Sequence, residues 1–279
     1  MSVTQIIVVS LVQGITEFLP ISSQAHLILV PRLTGWCNPG LALDIAVQVG
    51  ALAAVMLYFW RECFAMGRGA LNLIHGRMTR EGRLLLLIVL ATLPVLAAGY
   101  LVKETVGGDF RSLTVIGWAT LIWGFGLWLA DRYGLRVRRV EHMTWGSALT
   151  IGVFQMLALV PGTSRSGITM IAARLLGFER TDAARFSMLM AIPVIAAAAT
   201  LVGLDIARAG TAHLTREALL AGAITFVCAL AAIALLLRWL RRATFAPFVV
   251  YRIVLGLVLL GAVYGYGIGD AALTAACPM

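Results

Sequence analysis

The chain has 279 residues, 61% of them hydrophobic and 13% charged, with a formal net charge of +9. A soluble domain carries about 25% charged residues, so the composition excludes an ordinary soluble enzyme or a nucleic-acid-binding module and describes a polytopic membrane protein. The excess charge belongs to basic loops that set topology.

The first element spans residues 4–33, apolar but interrupted at Gly14, Pro20 and Ser22–Ser23. No Lys or Arg precedes Arg32, so this segment lacks the basic region of a cleaved signal peptide and is read as part of the mature fold. Within it lies Gln13-Gly-Ile-Thr-Glu-Phe-Leu-Pro-Ile-Ser-Ser-Gln-Ala-His26. A carboxylate at bilayer depth costs several kcal/mol or finds a partner, so Glu17 marks a functional site by default. Gly and Pro also release backbone groups that lipid cannot satisfy. Two short helices meeting at a turn and returning to their own side meet both conditions.

Three continuous spans follow, at 43–60, 83–103 and 112–131, each near the ~20 residues that cross a bilayer. A second broken stretch, 147–176, contains Pro161-Gly-Thr-Ser-Arg-Ser-Gly-Ile-Thr169. Spans at 184–203, 216–238 and 246–267 complete the chain. The glycines at 256, 261, 265, 267 and 269 are expected to permit close helix packing. Cys37, Cys63, Cys228 and Cys277 are scattered without metal-ligand spacing; Cys63 and Cys228 read as packing residues, and Cys37 and Cys277 as residues able to lie near one surface.

The order is thus a broken hairpin plus three spans, twice. The expected fold is a single all-α polytopic membrane domain over 1–279, built of two inverted repeats, 1–140 and 147–270, each a re-entrant helix hairpin with three transmembrane helices. Superimposing Pro20 on Pro161, an offset of 141, places Ser23 on Ser164. The loops at 61–83, 132–146 and 238–245 then share one face and hold twelve arginines, against five basic residues opposite. The positive-inside rule puts that first face in the cytoplasm and opens the first hairpin toward a bacterial periplasm.

One break carries Glu17, Ser23 and His26; the other carries Arg165. Together they would form a small anion site suited to phosphate, since Arg presents a planar fork of donors and helix starts offer N–H groups. Gln13 and Glu17, four apart, share a helical face. His26, three residues beyond Ser23, could take the serine proton while Glu17 orients His26 or holds a divalent cation. Arg165 would stabilise charge on transferring phosphoryl oxygens. The hydroxyls of Ser22, Thr163, Ser164, Ser166 and Thr169 either bind phosphate or satisfy freed backbone groups.

These residues resemble the BacA-type undecaprenyl-diphosphate phosphatase family over essentially the whole chain. Its two signatures read here as Gln13…Glu17-Phe-Leu-Pro-Ile-Ser22-Ser23-Gln-Ala-His26 and Pro161-Gly-Thr-Ser164-Arg165-Ser166-Gly-Ile-Thr169. The resemblance implies an inner-membrane enzyme that removes the terminal phosphate of a C55 polyprenyl diphosphate and so recycles the lipid carrier of cell-wall precursors. It also implies an outward-opening site, use of a divalent cation such as Mg²⁺ or Ca²⁺, and scope for a homodimer. It assigns Glu17, Ser23, His26 and Arg165 to catalysis and Gln13, Ser22, Ser164 and Thr169 to the phosphate site. Two positions depart from the pattern: many members have Glu where this chain has Gln13, and Gln24–Ala25 replaces a frequent Thr-Gly. Gln13 can orient phosphate or water but is a poor metal ligand and no base. Direct attack by water, or by His26, remains open beside the serine route. So does a carrier that flips a lipid phosphate, for which broken-helix repeats are also a common plan.

Overall fold

The computed structural model describes residues 2–36, 40–105, 112–208 and 216–266. They are helical, with no strand among the described residues.

Helix α1 (Val3–Thr16) starts at the cap Ser2, whose hydroxyl accepts from Gln5 N at 3.2 Å. The chain breaks over 17–22 and resumes as α2 (Ser23–Thr34), which Gly35 ends in a left-handed conformation. This is the expected first hairpin. Helix α3 (Leu41–Tyr58) is followed at once by α4 (Trp60–Ile74), turned by 84°. The sequence reading left this second segment as a loop. Its arginines conceal a helix that carries a polar stripe between apolar faces: Met66 and Gly69 pack inward while Trp60, Phe64, Leu71 and Ile74 stay exposed. Helices α5 (Arg80–Thr105) and α6 (Leu113–Tyr133) complete the first half.

The second half repeats the order. Thr144 caps α7 (Trp145–Met156), and after a break come α8 (Arg165–Leu175), α9 (Arg180–Arg208), α10 (Arg216–Leu240) and α11 (Ala246–Tyr266). Among the described residues five helices are long and apolar enough to span a membrane, and α3 with α4 makes a sixth candidate.

Packing exchanges the halves. The first hairpin's α1 lies against α10, and the second hairpin's α7 lies against α5. Helix α3 meets α9, and α6 meets α11. Glycine lets both hairpins approach: a Cβ on Gly14 would stand 2.8 Å from Thr225 O, and one on Gly152 only 2.4 Å from Ala91 O. Of the C-terminal glycines, Gly256 makes the expected close contact, on Leu121 and Gly117, whereas Gly261 and Gly265 face open space; 267 and 269 lie outside the described residues, as do Cys37 and Cys277. Cys63 and Cys228 are free thiols, half-buried.

The three arginine-rich connections meet at one end of the bundle. Arg83 donates to Met143 O at 3.1 Å, Arg185 pairs with Glu62 at 3.0 Å, and Phe245 N donates to Asp131 Oδ2 at 3.1 Å.

Candidate active site

Both breaks use one local device. Ser22 (φ 71°) and Ser164 (φ 72°) are the positive-φ non-glycine residues among those described. Such a backbone costs an L-residue about 1–2 kcal/mol. Each serine then caps the helix it precedes: Ser22 Oγ accepts from Ala25 N at 3.4 Å, and Ser164 Oγ from Gly167 N at 3.1 Å. The caps correspond at an offset of 142, one more than the proline alignment gives. Ser22, not Ser23, is the counterpart of Ser164. The first residue of the inner helix is therefore Ser23 in one hairpin and Arg165 in the other.

Those two residues converge on Glu17. Ser23 Oγ donates to Glu17 Oε2 at 2.7 Å, and Arg165 Nη2 donates to Glu17 Oε1 at 3.1 Å. Gln13 Nε2, one helical turn back on α1, donates to Oε2 at 3.0 Å. The ion pair is largely buried, with 8% of the Glu17 side chain and 15% of Arg165 exposed. Removing one member of such a pair strands the other charge in a poor solvent. Two polar atoms stay unsatisfied at this point, Arg165 Nη1 and Gln13 Oε1. An unused guanidinium donor beside a bound carboxylate is an acceptor site for an anion.

The cluster forms the polar wall of a cavity of about 410 Å³. Gln13, Glu17, Ser22, Ser23, Ser164 and Arg165 line that wall. Asp44 and Gln48, one turn apart on α3, add a second polar face that the sequence reading did not assign to a site. Apart from Gln24, the remaining lining is apolar, including Val95 on α5, Leu159, and Val194, Ile195 and Ala198 on α9. A charged head and a hydrocarbon tail could share such a space.

His26 is not among the residues lining this cavity. Its ring stacks on Tyr251 of α11, with centroids 5.7 Å apart. Nδ1 meets Ser22 O at 2.7 Å, so it carries the proton, and Nε2 then accepts from the Tyr251 hydroxyl. With both nitrogens engaged, the Ser23–His26 contact expected from their spacing is not formed; Glu17 holds the serine hydroxyl instead. Thr163, Ser166 and Thr169 also lie off the cavity lining. Ser166 Oγ donates to Leu19 O at 2.8 Å, tying one break to the other. Thr169 bonds Arg165 O at 2.9 Å and Ser187 Oγ at 2.7 Å, which braces the first turn of α8. Thr163 is buried with its hydroxyl unpartnered.

Sequence reasoning missed Arg252. It is fully buried on α11 and makes no ion pair with an acid among the described residues. Its guanidinium donates to carbonyls of both breaks, Pro20 O at 3.2 Å and Gly162 O at 2.9 Å, and to Thr120 O and Ala119 O on α6. The signal was present: a lone Arg six residues into an apolar span invites the question asked of Glu17.

Among the described residues no group of three or more His, Cys, Asp or Glu side chains forms a metal cage. The cavity does hold hard oxygen donors, the carboxylates of Glu17 and Asp44 and the unpartnered Gln13 Oε1. Donors of these types, one or two carboxylates completed by substrate phosphates, are the ones a hard divalent cation takes.

Comparison with known proteins agrees with this architecture. The family profile described as "Bacitracin resistance protein BacA" matches residues 6–258. "Undecaprenyl-diphosphatase 1" of Rhodospirillum rubrum is 49% identical over 95% of this chain and 96% of its own length. "Undecaprenyl-diphosphatase" of Ruegeria pomeroyi is 47% identical over 95% of this chain and 100% of its own. The protein of that name from Maricaulis maris is 48% identical over 93% and 98%.

Proposed function

The chain belongs to the bacitracin resistance protein BacA family, and we propose that Glu17, Ser23 and Arg165 are the residues with which it hydrolyses undecaprenyl diphosphate to undecaprenyl phosphate and inorganic phosphate. The observation that carries this reading is the 2.7 Å contact from Ser23 Oγ to Glu17 Oε2.

The diphosphate enters the polar wall while the prenyl tail follows the apolar lining of α5 and α9. Arg165, through its unused Nη1, takes oxygens of the terminal phosphate. Ser23 attacks the terminal phosphorus as Glu17 accepts its proton. The new serine–phosphorus bond forms as the bridging oxygen–phosphorus bond breaks, and undecaprenyl phosphate leaves. Glu17 hands the serine proton to the departing lipid phosphate, then takes a proton from the water that attacks the phosphoserine; the serine–phosphorus bond breaks, phosphate leaves, and Glu17 returns the proton to Ser23 Oγ. General-base assistance of this kind contributes about 10²–10⁴-fold.

A divalent cation, when bound at Glu17, Asp44 and the substrate phosphates, would neutralise charge on the diphosphate. His26 serves here as a positioning residue: its Nδ1–H holds the Ser22 carbonyl, and with it the turn that presents Ser23. The arginine-rich end lies in the cytoplasm and the cavity opens to the periplasm, as the loop charges favour.

Trapping labelled phosphate on the purified enzyme and mapping it tests the serine route. Label on Ser23 is expected. A Ser23→Ala enzyme with full activity would replace it with direct attack by water.

A further inference from the structure

A second polar cavity, of about 190 Å³, sits at the arginine-rich end between the C-terminal end of α6 and the start of α11. Arg132, Arg136 and Arg180 line it, with Trp128 and Val249 on its apolar side. It shares no lining residue with the Glu17 cavity. Asp131, which lines it, is eleven residues along α6 from Thr120, about 16 Å at the helical rise.

Its charges do not balance. Asp131 is the acid lining it, and both carboxylate oxygens are already in use. Oδ1 takes Arg180 at 2.6 Å and Arg174 at 3.5 Å; Oδ2 takes Arg180 and Phe245 N, each at 3.1 Å. Among the described residues no hydrogen bond or ion pair holds Arg132 or Arg136, and both are exposed. Thr244 Oγ1 accepts from Ala246 N at 3.2 Å and keeps its own O–H to donate, beside the guanidiniums of Arg132 and Arg136. Three arginines, Arg132, Arg136 and Arg180, thus line a cavity whose lining acid is already paired with Arg180 and Arg174.

The outer face of α6 fixes the depth. Phe125 and Trp128 stack at 5.3 Å, and Tyr133 meets Trp128 edge-on at 6.4 Å, all three exposed. Trp and Tyr collect at the level of lipid headgroups. An aromatic belt at that level would put the cavity beside lipid phosphates, with the exposed Arg132 and Arg136 and the apolar Trp128 and Val249 lining it. Basic pockets between spans are the form that recognition of anionic lipid heads takes.

We propose that this cavity binds the phosphate head of a membrane lipid, with Arg132 and Arg136 clamping its oxygens and the lipid chains lying along Trp128 and Val249. The shared chemistry is a phosphate ester on a long hydrocarbon, supplied either by an anionic phospholipid or by a prenyl monophosphate.

Native mass spectrometry of the purified full-length protein tests it, with phosphatidylglycerol, phosphatidylcholine and a polyprenyl monophosphate as separate probes. Wild type should retain at least one anionic probe well above phosphatidylcholine, and the anion bound at lower concentration identifies the source. Arg132→Gln/Arg136→Gln should weaken that binding by about tenfold or more, at unchanged melting temperature. Arg241→Gln/Arg242→Gln, with equal charge loss nearby, should retain it. No anionic preference in wild type, equal binding by Arg132→Gln/Arg136→Gln, or equal loss in the control pair would each overturn the proposal.

Discussion

Ser23 gives its hydroxyl to Glu17 across a break in the helix, six residues back along the chain and at 2.7 Å. The same carboxylate takes Arg165 on its other oxygen. A carboxylate, a hydroxyl and a guanidinium are thereby held together without the imidazole that the sequence spacing suggested. Glu17→Gln keeps the shape and removes the proposed base. Its kcat/KM should fall by about 10²–10⁴-fold, and its melting temperature should fall as well, because Arg165 is left in the cavity wall without its carboxylate. Retention of half the wild-type rate would remove Glu17 from the chemistry.

Arg165 binds through a planar fork, one nitrogen on Glu17 and the other unsatisfied. Lys supplies charge but not the fork. Arg165→Lys should lose about 10²-fold or more in kcat/KM, as removal of a preorganised donor does elsewhere. Steady-state kinetics on the lipid diphosphate measure it, and wild-type kinetics in Arg165→Lys would show that charge alone suffices.

The bond from His26 Nδ1 to the Ser22 carbonyl links the imidazole to the turn that carries Ser23, the basis of its proposed positioning role. His26→Ala should cost less than Ser23→Ala, about tenfold against near-complete loss, and Tyr251→Phe less again. If His26→Ala matches Ser23→Ala in kcat and also abolishes the pH dependence of the reaction, the imidazole is the proton acceptor.

Arg252→Met leaves four buried carbonyls without their shared donor. An unsatisfied buried group costs about 1–3 kcal/mol, so this substitution should lower the melting temperature more than Ser23→Ala. A melting temperature equal to wild type would show that the carbonyls find other partners.

Asp44 faces Glu17's cavity from α3. Asp44→Asn should raise the Mg²⁺ concentration needed for half-maximal activity about tenfold, by removing one of two carboxylates around a hard cation. An unchanged activation curve would exclude Asp44 from metal binding.

Much of this was legible in the chain because lipid is an unforgiving solvent. Glu17 and Arg165 stood out since a charge among apolar residues has few innocent explanations, and the element order followed from span lengths. The rest was hidden for local reasons. Helix α4 was obscured because its arginines read as a loop, and the 84° bend that lays it beside α5 has no signature. The repeat register slipped by one because prolines were aligned where serine caps correspond. His26 lies one turn from Ser23 in sequence, but its ring turns toward α11, a choice made by a tertiary neighbour. Arg252 satisfied the rule that found Glu17, yet no role was assigned to it.

The place of Arg252 sets an order on how the protein is made. Its span leaves the ribosome after both of the loops, near residues 20 and 162, whose carbonyls it joins. Those loops are made long before their common donor exists. The two broken helices thus wait for α11, which closes them like a keystone.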